Sequence, residues 1–148
     1  KPTFKLDRLA PANGFAHINA HDALADVEAT IHICRIIRDG APDLWDAFLR
    51  FSSKAAVQEF VRSEAAFVFF EFFGNRHAAN LVTPIGGSVQ QPNVVYCLDL
   101  ACDLEGLRTL SPEELSARLT RSPKPVRRLK VNGSPLLSTL GETPVEML

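Results

Sequence analysis

Long apolar segments, a signal-peptide pattern and a paired set of cysteines are all missing from this 148-residue sequence. No apolar run approaches the roughly 20 residues with which a helix crosses a bilayer, which argues against a membrane protein. The first residues do not form a signal-peptide pattern, which argues against secretion. Cys34, Cys97 and Cys102 are odd in number and lack metal-ligand spacing, so we expect reduced thiols in a cytoplasmic protein.

Acidic residues are missing from one stretch, residues 115–141, although the net charge of the whole chain is only −1. A basic stripe on an otherwise acidic chain indicates an anionic partner at one surface. An edge strand that lysine and arginine protect from association would give the same pattern, and the composition leaves both interpretations open. The basic residues of the stretch are Arg118, Arg121, Lys124, Arg127, Arg128 and Lys130.

The N-terminal part is expected to be a loop followed by one amphipathic helix. Residues 1–18 are predicted to be loop because Pro11 and the turn dipeptide Asn13-Gly14 interrupt any periodicity. From Asn19, a suitable N-cap, apolar residues recur at intervals of three and four, as on one face of a helix. The stretch from Gly40 to Asp43, which includes a proline, ends this helix and is the predicted domain boundary. The apolar stripe consists of Leu24, Val27, Ile31 and Cys34.

The remaining residues predict two further helices and then a β-rich unit, so the fold class is α+β. One helix begins near Asp43, and the next is capped by Ser52 or Ser53. SPEELSARL is a helix with a capping box, in which Ser111 caps and Glu114 reaches back. Between and after these helices, short runs with strand periodicity are separated by Gly, Asn and Pro. These runs are AFVFFEFF, NLVTPIG, VVYCLDL and VRRLKV.

The segment NAHDALADVEAT at the start of the first helix contains residue types that perform chemistry. His21 and Asp26 are five positions apart, about 140° around a helix, so both can border one cleft. A histidine can take a proton from water near neutral pH, and a carboxylate can hold a divalent cation. The spacing alone is weak, because two solvated polar groups at a helix start would look the same. A zinc site from His17 and His21 is disfavoured, since the helix is predicted to begin after His17.

Four separated segments, FKLDRLAPANGF, NAHDALADVEAT, APDLWDAF and KPVRRLKVNGSPLL, together resemble the bacterial exodeoxyribonuclease I family. These are DEDD-type 3′–5′ exonucleases whose final motif is His-x4-Asp, and AHDALADVEAT is similar to that motif. The resemblance implies that residues 1–41 are the C-terminal part of an RNase H-like exonuclease domain, including its last helix. Residues 42–148 would then form a small SH3-like antiparallel β-barrel with inserted helices.

The resemblance also implies roles for residues of the motif. His21 would be the general base, and Asp26 a carboxylate ligand of the Mg²⁺ ions that such enzymes use for in-line hydrolysis of a terminal phosphodiester. The family's Asp-x-Glu motif and its second aspartate motif do not occur in residues 1–18, and the sequence begins with lysine. We therefore expect a piece of a longer protein that needs the remainder of the exonuclease chain. Alone, it should not bind Mg²⁺ or degrade single-stranded DNA.

The basic residues fit this family, in which the barrel domain helps to form a positive channel for single-stranded DNA. A nearby surface in the family binds the acidic C-terminal tail of single-strand-binding protein. On VRRLKV, Arg128 and Lys130 share one face and are the best predicted phosphate contacts, with Arg121 and Lys124 as loop additions. The implied setting is the nucleoid, in bacterial DNA repair and recombination. The rival interpretation is a noncatalytic module that binds DNA or a protein tail, in which the first helix only packs.

Overall fold

A computed structural model of the chain describes residues 3–16, 22–73 and 76–143. These residues divide into two compact units, Lys1–Asp46 with Phe72–His77, and Ala47–Glu71 with Ala78–Leu148. The domain boundary between residues 41 and 42 stays a prediction. The helices are α1 (Leu6–Ala12), α2 (Ala23–Gly40), α3 (Pro42–Arg50), α4 (Lys54–Ser63), α5 (Leu104–Arg108) and α6 (Pro112–Thr120). The strands are β1 (Phe67–Phe73), β2 (Arg76–Gly87), β3 (Val94–Asp99), β4 (Val126–Lys130) and β5 (Leu136–Ser138).

In the first unit, the expectation of a loop before α2 is wrong, because residues 6–12 form α1. Pro11 lies inside this short helix, where its missing N–H removes one backbone hydrogen bond and so weakens the helix without preventing it. The side-chain amide of Asn13 donates to the Leu9 carbonyl at 2.8 Å, and Gly14 takes a positive φ of 83°. The turn dipeptide therefore ends a helix instead of marking a continuous loop.

The start of α2 differs from the predicted one. The helix begins at Ala23 instead of near Asn19, which lies outside the described residues. Asp22 is the N-cap, and its carboxylate accepts a hydrogen bond from the Ala25 N–H at 3.3 Å. Asp is among the most favourable N-cap residues, so the helix begins directly after Asp22. The helix ends at Gly40 and α3 begins at Pro42, as the sequence predicts.

The strands of the described chain form one five-stranded sheet in the order β4-β3-β2-β1-β5. The β1–β5, β2–β3 and β3–β4 pairs are antiparallel. The expectation of a closed barrel is wrong for this sheet, because β4 and β5 occupy opposite edges. β5 has only three residues and follows Pro135, which has no N–H to donate, so little backbone is left for closure.

The core of the second unit lies between α4 and one face of the sheet. The Phe60 ring on α4 lies 5.0 Å from the Phe51 ring and 5.4 Å from the Phe67 ring, between centroids and nearly edge-on. Alternate residues along the strands add buried side chains, as the period of two requires. Those side chains are Phe67, Phe69, Val82, Cys97, Leu129 and Leu137. The run FVFFEFF is therefore a core strand only at its start, since Phe72 and Phe73 are more than half exposed.

The capping box predicted for α6 is confirmed. The Ser111 hydroxyl accepts a hydrogen bond from the Glu114 N–H at 3.2 Å, and the Glu114 carboxylate accepts one from the Ser111 N–H at 2.8 Å. Hydrogen bonds from the backbone N–H and the side chain of Ser111 to the Glu114 carboxylate lower the pKa of Glu114. No helix of the described residues is long and apolar enough to cross a membrane.

Ser111→Ala is expected to lower the free energy of unfolding by about 1 kcal/mol, since it removes the side-chain half of the box. Ser116→Ala, on the same helix away from its cap, is the matched control and should be neutral or slightly stabilising. Urea denaturation followed by circular dichroism measures both. Because the folded-state pKa of Glu114 is lowered, its contribution is present above its unfolded pKa and is lost as the pH falls through the folded pKa. If Ser111→Ala and Ser116→Ala changed the free energy of unfolding equally, the assignment of Ser111 as the cap would be contradicted.

Candidate nucleic-acid interface

Asp26 lies in the first turn of α2 and is half-buried. Its backbone N–H donates to the Asp22 carbonyl at 2.9 Å, and its own carbonyl accepts from the Thr30 hydroxyl at 2.7 Å. His21 lies outside the described residues, as does His17. The relation between His21 and Asp26 therefore stays a prediction.

The residues present do not by themselves fit a complete magnesium site. Mg²⁺ prefers oxygen ligands in octahedral geometry, and the carboxylate of Asp26 is a suitable ligand. Within the described ranges, however, no three acidic, histidine or cysteine side chains come close enough to hold a metal ion. One carboxylate cannot hold two divalent cations against their hydration, so further ligands would have to come from elsewhere.

The four predicted phosphate-binding residues are all exposed in the second unit. Arg128 and Lys130 alternate along β4 with Leu129, which is fully buried. Arg121 is the C-cap residue of α6, and Lys124 lies in the loop between α6 and β4. Since β4 is an edge strand, an anion-binding role and protection of the edge both fit this placement.

Arg127 faces away from Arg128 and Lys130, as the alternation predicts, and belongs to an internal network. Its guanidinium donates to the Asp99 carboxylate at 2.8 and 3.2 Å and to the Glu71 carboxylate at 3.1 Å. Only 17% of its side chain is exposed. Arg127 is therefore not part of the exposed basic surface.

The network around Arg127 contains two carboxylates for one cation. The Asn80 amide donates to Glu71 at 3.1 Å, and the Ala101 N–H donates to Asp99 at 3.0 Å. Burial raises the pKa of Glu71 even though the Arg127 charge opposes the shift. Burial also raises the pKa of the Cys97 thiol to about 12, with a smaller contribution from the Glu71 charge. Because β1, β3 and β4 all contribute charged groups, the network fixes which face of β4 points outward.

A shallow polar depression lies between the loop after β2 and the turn after β4, with a volume of about 580 Å³. The Asn93 side-chain oxygen accepts a hydrogen bond from the Lys54 ammonium at 2.6 Å, and the Gln91 side-chain oxygen accepts one from the Arg128 guanidinium. Lys54, Gln91 and Asn93 were not predicted from the sequence. The polar sequence QQPN is typical of an exposed turn. No local pattern, however, connects Asn93 with Lys54, which is 39 positions away. The depression is lined by Gln90, Gln91, Pro92, Asn93, Val94, Lys130, Asn132 and Gly133.

His32, on α2, contacts residues that follow α1. His32 is half-buried, its Nε2 lies 2.8 Å from the Asn13 carbonyl, and its ring lies 5.1 Å from the Phe15 ring, between centroids. These contacts belong to the packing of the first unit. His77, in contrast, is exposed.

Comparison with known proteins identifies relatives of this chain, although no protein-family model matches it. It is 30% identical to exodeoxyribonuclease I of Haemophilus influenzae over 151 residues, which cover 93% of this chain and 32% of that protein. It is also 30% identical to exodeoxyribonuclease I of Escherichia coli K12 over 149 residues, which cover 93% of this chain and 31% of that protein. The chain thus spans about a third of the length of the curated relatives it matches.

Solved structures give the same result. E. coli exonuclease I in complex with a dA16 oligonucleotide matches with a TM-score of 0.81 and 28% identity, over 97% of this chain and 33% of that one. The zinc-ion-bound form of the E. coli ExoI–ssDNA complex matches with a TM-score of 0.81 and 29% identity, over 98% and 34%. An ExoI/SSB-Ct complex matches with a TM-score of 0.73 and 28% identity, over 93% and 31%.

Proposed function

We propose, from the premise that this chain is a member of the bacterial exodeoxyribonuclease I family over the part it spans, that it belongs to a 3′–5′ exonuclease acting on single-stranded DNA. The observation that supports this most is the match over 97% of the chain to an exonuclease I that holds an oligonucleotide. Because the chain spans a third of that protein, hydrolysis is proposed for the longer protein. This chain would contribute one corner of the catalytic centre and a DNA-binding surface.

The catalytic corner would consist of His21 and Asp26. In this proposal His21 takes a proton from the attacking water, and Asp26 is one ligand of a divalent cation, Mg²⁺ in our proposal. When bound, Mg²⁺ would stabilise negative charge on the phosphate. The N-cap bond of Asp22 holds the first turn of α2, and so the backbone of Asp26, in place. Residues 1–41 would be the end of the exonuclease domain, and residues 42–148 the SH3-like domain.

The DNA-binding surface would be formed by Arg121, Lys124, Arg128 and Lys130, which we call the basic surface. All four side chains are exposed, and the surrounding stretch, residues 115–141, has no acidic residue. Phosphate contacts of this kind supply affinity without reading sequence, which suits an enzyme that moves along a strand. We also propose that the acidic C-terminal tail of single-strand-binding protein is a partner of the longer protein, in the bacterial cytoplasm at the nucleoid.

Lys130→Ala is expected to weaken binding of an oligo-dT to this chain and to make the binding less salt-dependent. Each phosphate contact to single-stranded DNA contributes about −0.7 to the slope of log affinity against log salt, because counterions are released. The single variant should therefore flatten the slope by about 0.7. Replacement of all four residues of the basic surface by alanine should flatten it by about 3. Fluorescence anisotropy between 50 and 300 mM salt measures this.

Arg108→Ala is the matched control for that experiment, because Arg108 is exposed in the same unit but pairs with Glu105. Its slope should equal that of the unaltered chain. A basic-surface variant with an unchanged slope would contradict the proposed interface and favour a role in protecting the edge strand.

A noncatalytic binding module remains the second candidate. The exposure of Arg128 and Lys130 on the edge strand β4 would suit this candidate equally well. The two candidates differ in whether His21 and Asp26 matter to hydrolysis by the longer protein.

A further inference from the structure

Two side-chain amides at the polar depression each have their oxygen bound by a cation. Lys54 donates to Asn93, and Arg128 donates to Gln91. Ammonium and guanidinium groups can only donate hydrogen bonds, so the atom that faces each cation must be the amide oxygen. The O and N atoms of an amide are often hard to tell apart, but here the cationic neighbour identifies the oxygen. The NH₂ group of each amide is therefore directed away from its cation.

The depression consequently offers hydrogen-bond donors. The NH₂ groups of Gln91 and Asn93 donate to no other residue in the described part of the chain, and both residues line the depression with Lys130. A cation bound to an amide oxygen polarises the amide and strengthens its N–H donors. A site with donors and positive charge fits a ligand with several acceptor oxygens and negative charge.

The lining of the depression contains no aromatic residue. Single-strand binders hold bases by stacking them on aromatic rings, so this depression is poorly suited to a base. The phosphodiester of the backbone matches both the donors and the charge, and Gln and Asn side chains are ordinary phosphate donors.

We propose that this depression is a phosphodiester subsite in which the side-chain N–H groups of Gln91 and Asn93 and the ammonium of Lys130 bind the phosphate oxygens. Lys54 acts as a positioning residue that holds Asn93. Arg128 holds Gln91 through one nitrogen of its guanidinium, and its other N–H groups keep their role in the basic surface. The proposal rests on the proposed function and deepens it, because it adds neutral donors to the basic surface.

The loop that presents the two amides is already fixed by its own hydrogen bonds. The Gln91 N–H donates to the Ser88 hydroxyl at 3.1 Å, and the Gln91 carbonyl accepts from the Val94 N–H at 2.9 Å. The Asn93 carbonyl accepts from the Val131 N–H at the end of β4, also at 2.9 Å. A donor set that is ordered before binding loses little conformational entropy when the phosphate arrives.

The test compares binding of oligo-dT and of an abasic deoxyribose-phosphate oligomer of equal length to the chain and its variants. Gln91→Met with Asn93→Leu should weaken binding of both oligomers about tenfold. The slope against log salt should not change, because neutral donors release no counterions. Gln58→Met on α4 is the matched control and should have no effect. Circular dichroism and thermal unfolding show that each variant is folded.

The positioning role of Lys54 is tested by a double-mutant cycle. Lys54→Met should weaken binding several-fold in the unaltered chain and have no further effect in the Asn93→Leu background. A full effect in both backgrounds would mean that Lys54 contacts the phosphate directly, which would overturn this role.

The remaining outcomes separate this inference from the proposed function. A loss confined to oligo-dT would mean that the amides read bases, and unchanged binding would mean that they take no part. Either result overturns the subsite, while a flatter slope for Lys130→Ala would still support the basic surface. Failure of the unaltered chain to bind either oligomer would overturn both proposals.

Discussion

Arg127→Met is expected to lower the free energy of unfolding by about 3 kcal/mol. Methionine fills most of the space of the arginine stem but leaves Glu71 and Asp99 without their cation. Both carboxylates are largely buried, with 18% and 12% of their side chains exposed. Two desolvated like charges that face each other without a counter-charge are among the costliest defects in a protein. Urea denaturation at neutral pH measures the loss.

The pH dependence of this variant gives a second readout. In the unaltered chain, burial raises the pKa of Glu71 above its ordinary value of 4.5. The folded state then binds more protons than the unfolded state, so stability falls as the pH rises from the unfolded to the folded pKa. Removal of Arg127 also removes the attraction that limits this rise. The destabilisation should therefore be smaller at pH 5 than at pH 8.

Glu71→Gln provides the matched control. Glutamine can still accept hydrogen bonds from Asn80 and Arg127, while Arg127 keeps its pair with Asp99. We expect a change within about 1 kcal/mol and partial recovery of stability when Glu71→Gln is combined with Arg127→Met. A loss below about 1 kcal/mol for Arg127→Met, equal at both pH values, would show that the network does not stabilise the fold.

Local chemistry made much of the second unit predictable. The capping box of Ser111 and Glu114 involves residues three apart, so sequence alone contains all its parts. The alternation along β4 needs only the period of two, and it correctly separated Arg127 from Arg128 and Lys130. The helix that begins at Lys54 follows from its Ser53 cap and its apolar spacing.

The features that were mispredicted or missed depend mostly on groups distant in sequence. Closure of a sheet is decided by which edges meet, and the spacing of strands along the chain does not reveal that β4 and β5 lie at opposite edges. The bond from Lys54 to Asn93 and the contact of His32 with the Asn13 carbonyl join residues that no local pattern connects. The prediction for α1 fails for a local reason, because Pro11 and Asn13-Gly14 shorten a helix without excluding it.

The proposed catalytic roles of His21 and Asp26 come from the family resemblance more than from the physical chemistry of their spacing. His-x4-Asp spacing occurs in many helices, and only the longer string AHDALADVEAT gave it meaning. The comparisons support the family over nearly the whole chain, while the roles of His21 and Asp26 stay proposals. A kinetic experiment on the longer protein tests them directly.

His21→Ala in the longer protein is expected to lower kcat by about 10²- to 10⁴-fold, the usual contribution of a general base. Asp26→Asn should lower kcat/KM at least about 100-fold, because an amide is a poor replacement for an anionic metal ligand. Hydrolysis of a 3′-labelled oligo-dT under single-turnover conditions measures both, and oligo-dT affinity should stay within a few-fold.

Glu28→Gln is the matched control for Asp26→Asn, because both remove one carboxylate from the same helix and Glu28 is exposed. It should leave hydrolysis unchanged. A base must be neutral to accept a proton, so the activity of the unaltered protein should fall in acid as histidine protonates, and His21→Ala should remove that dependence. If Asp26→Asn and Glu28→Gln had equal, small effects, α2 would be a packing helix and the binding-module interpretation would be preferred.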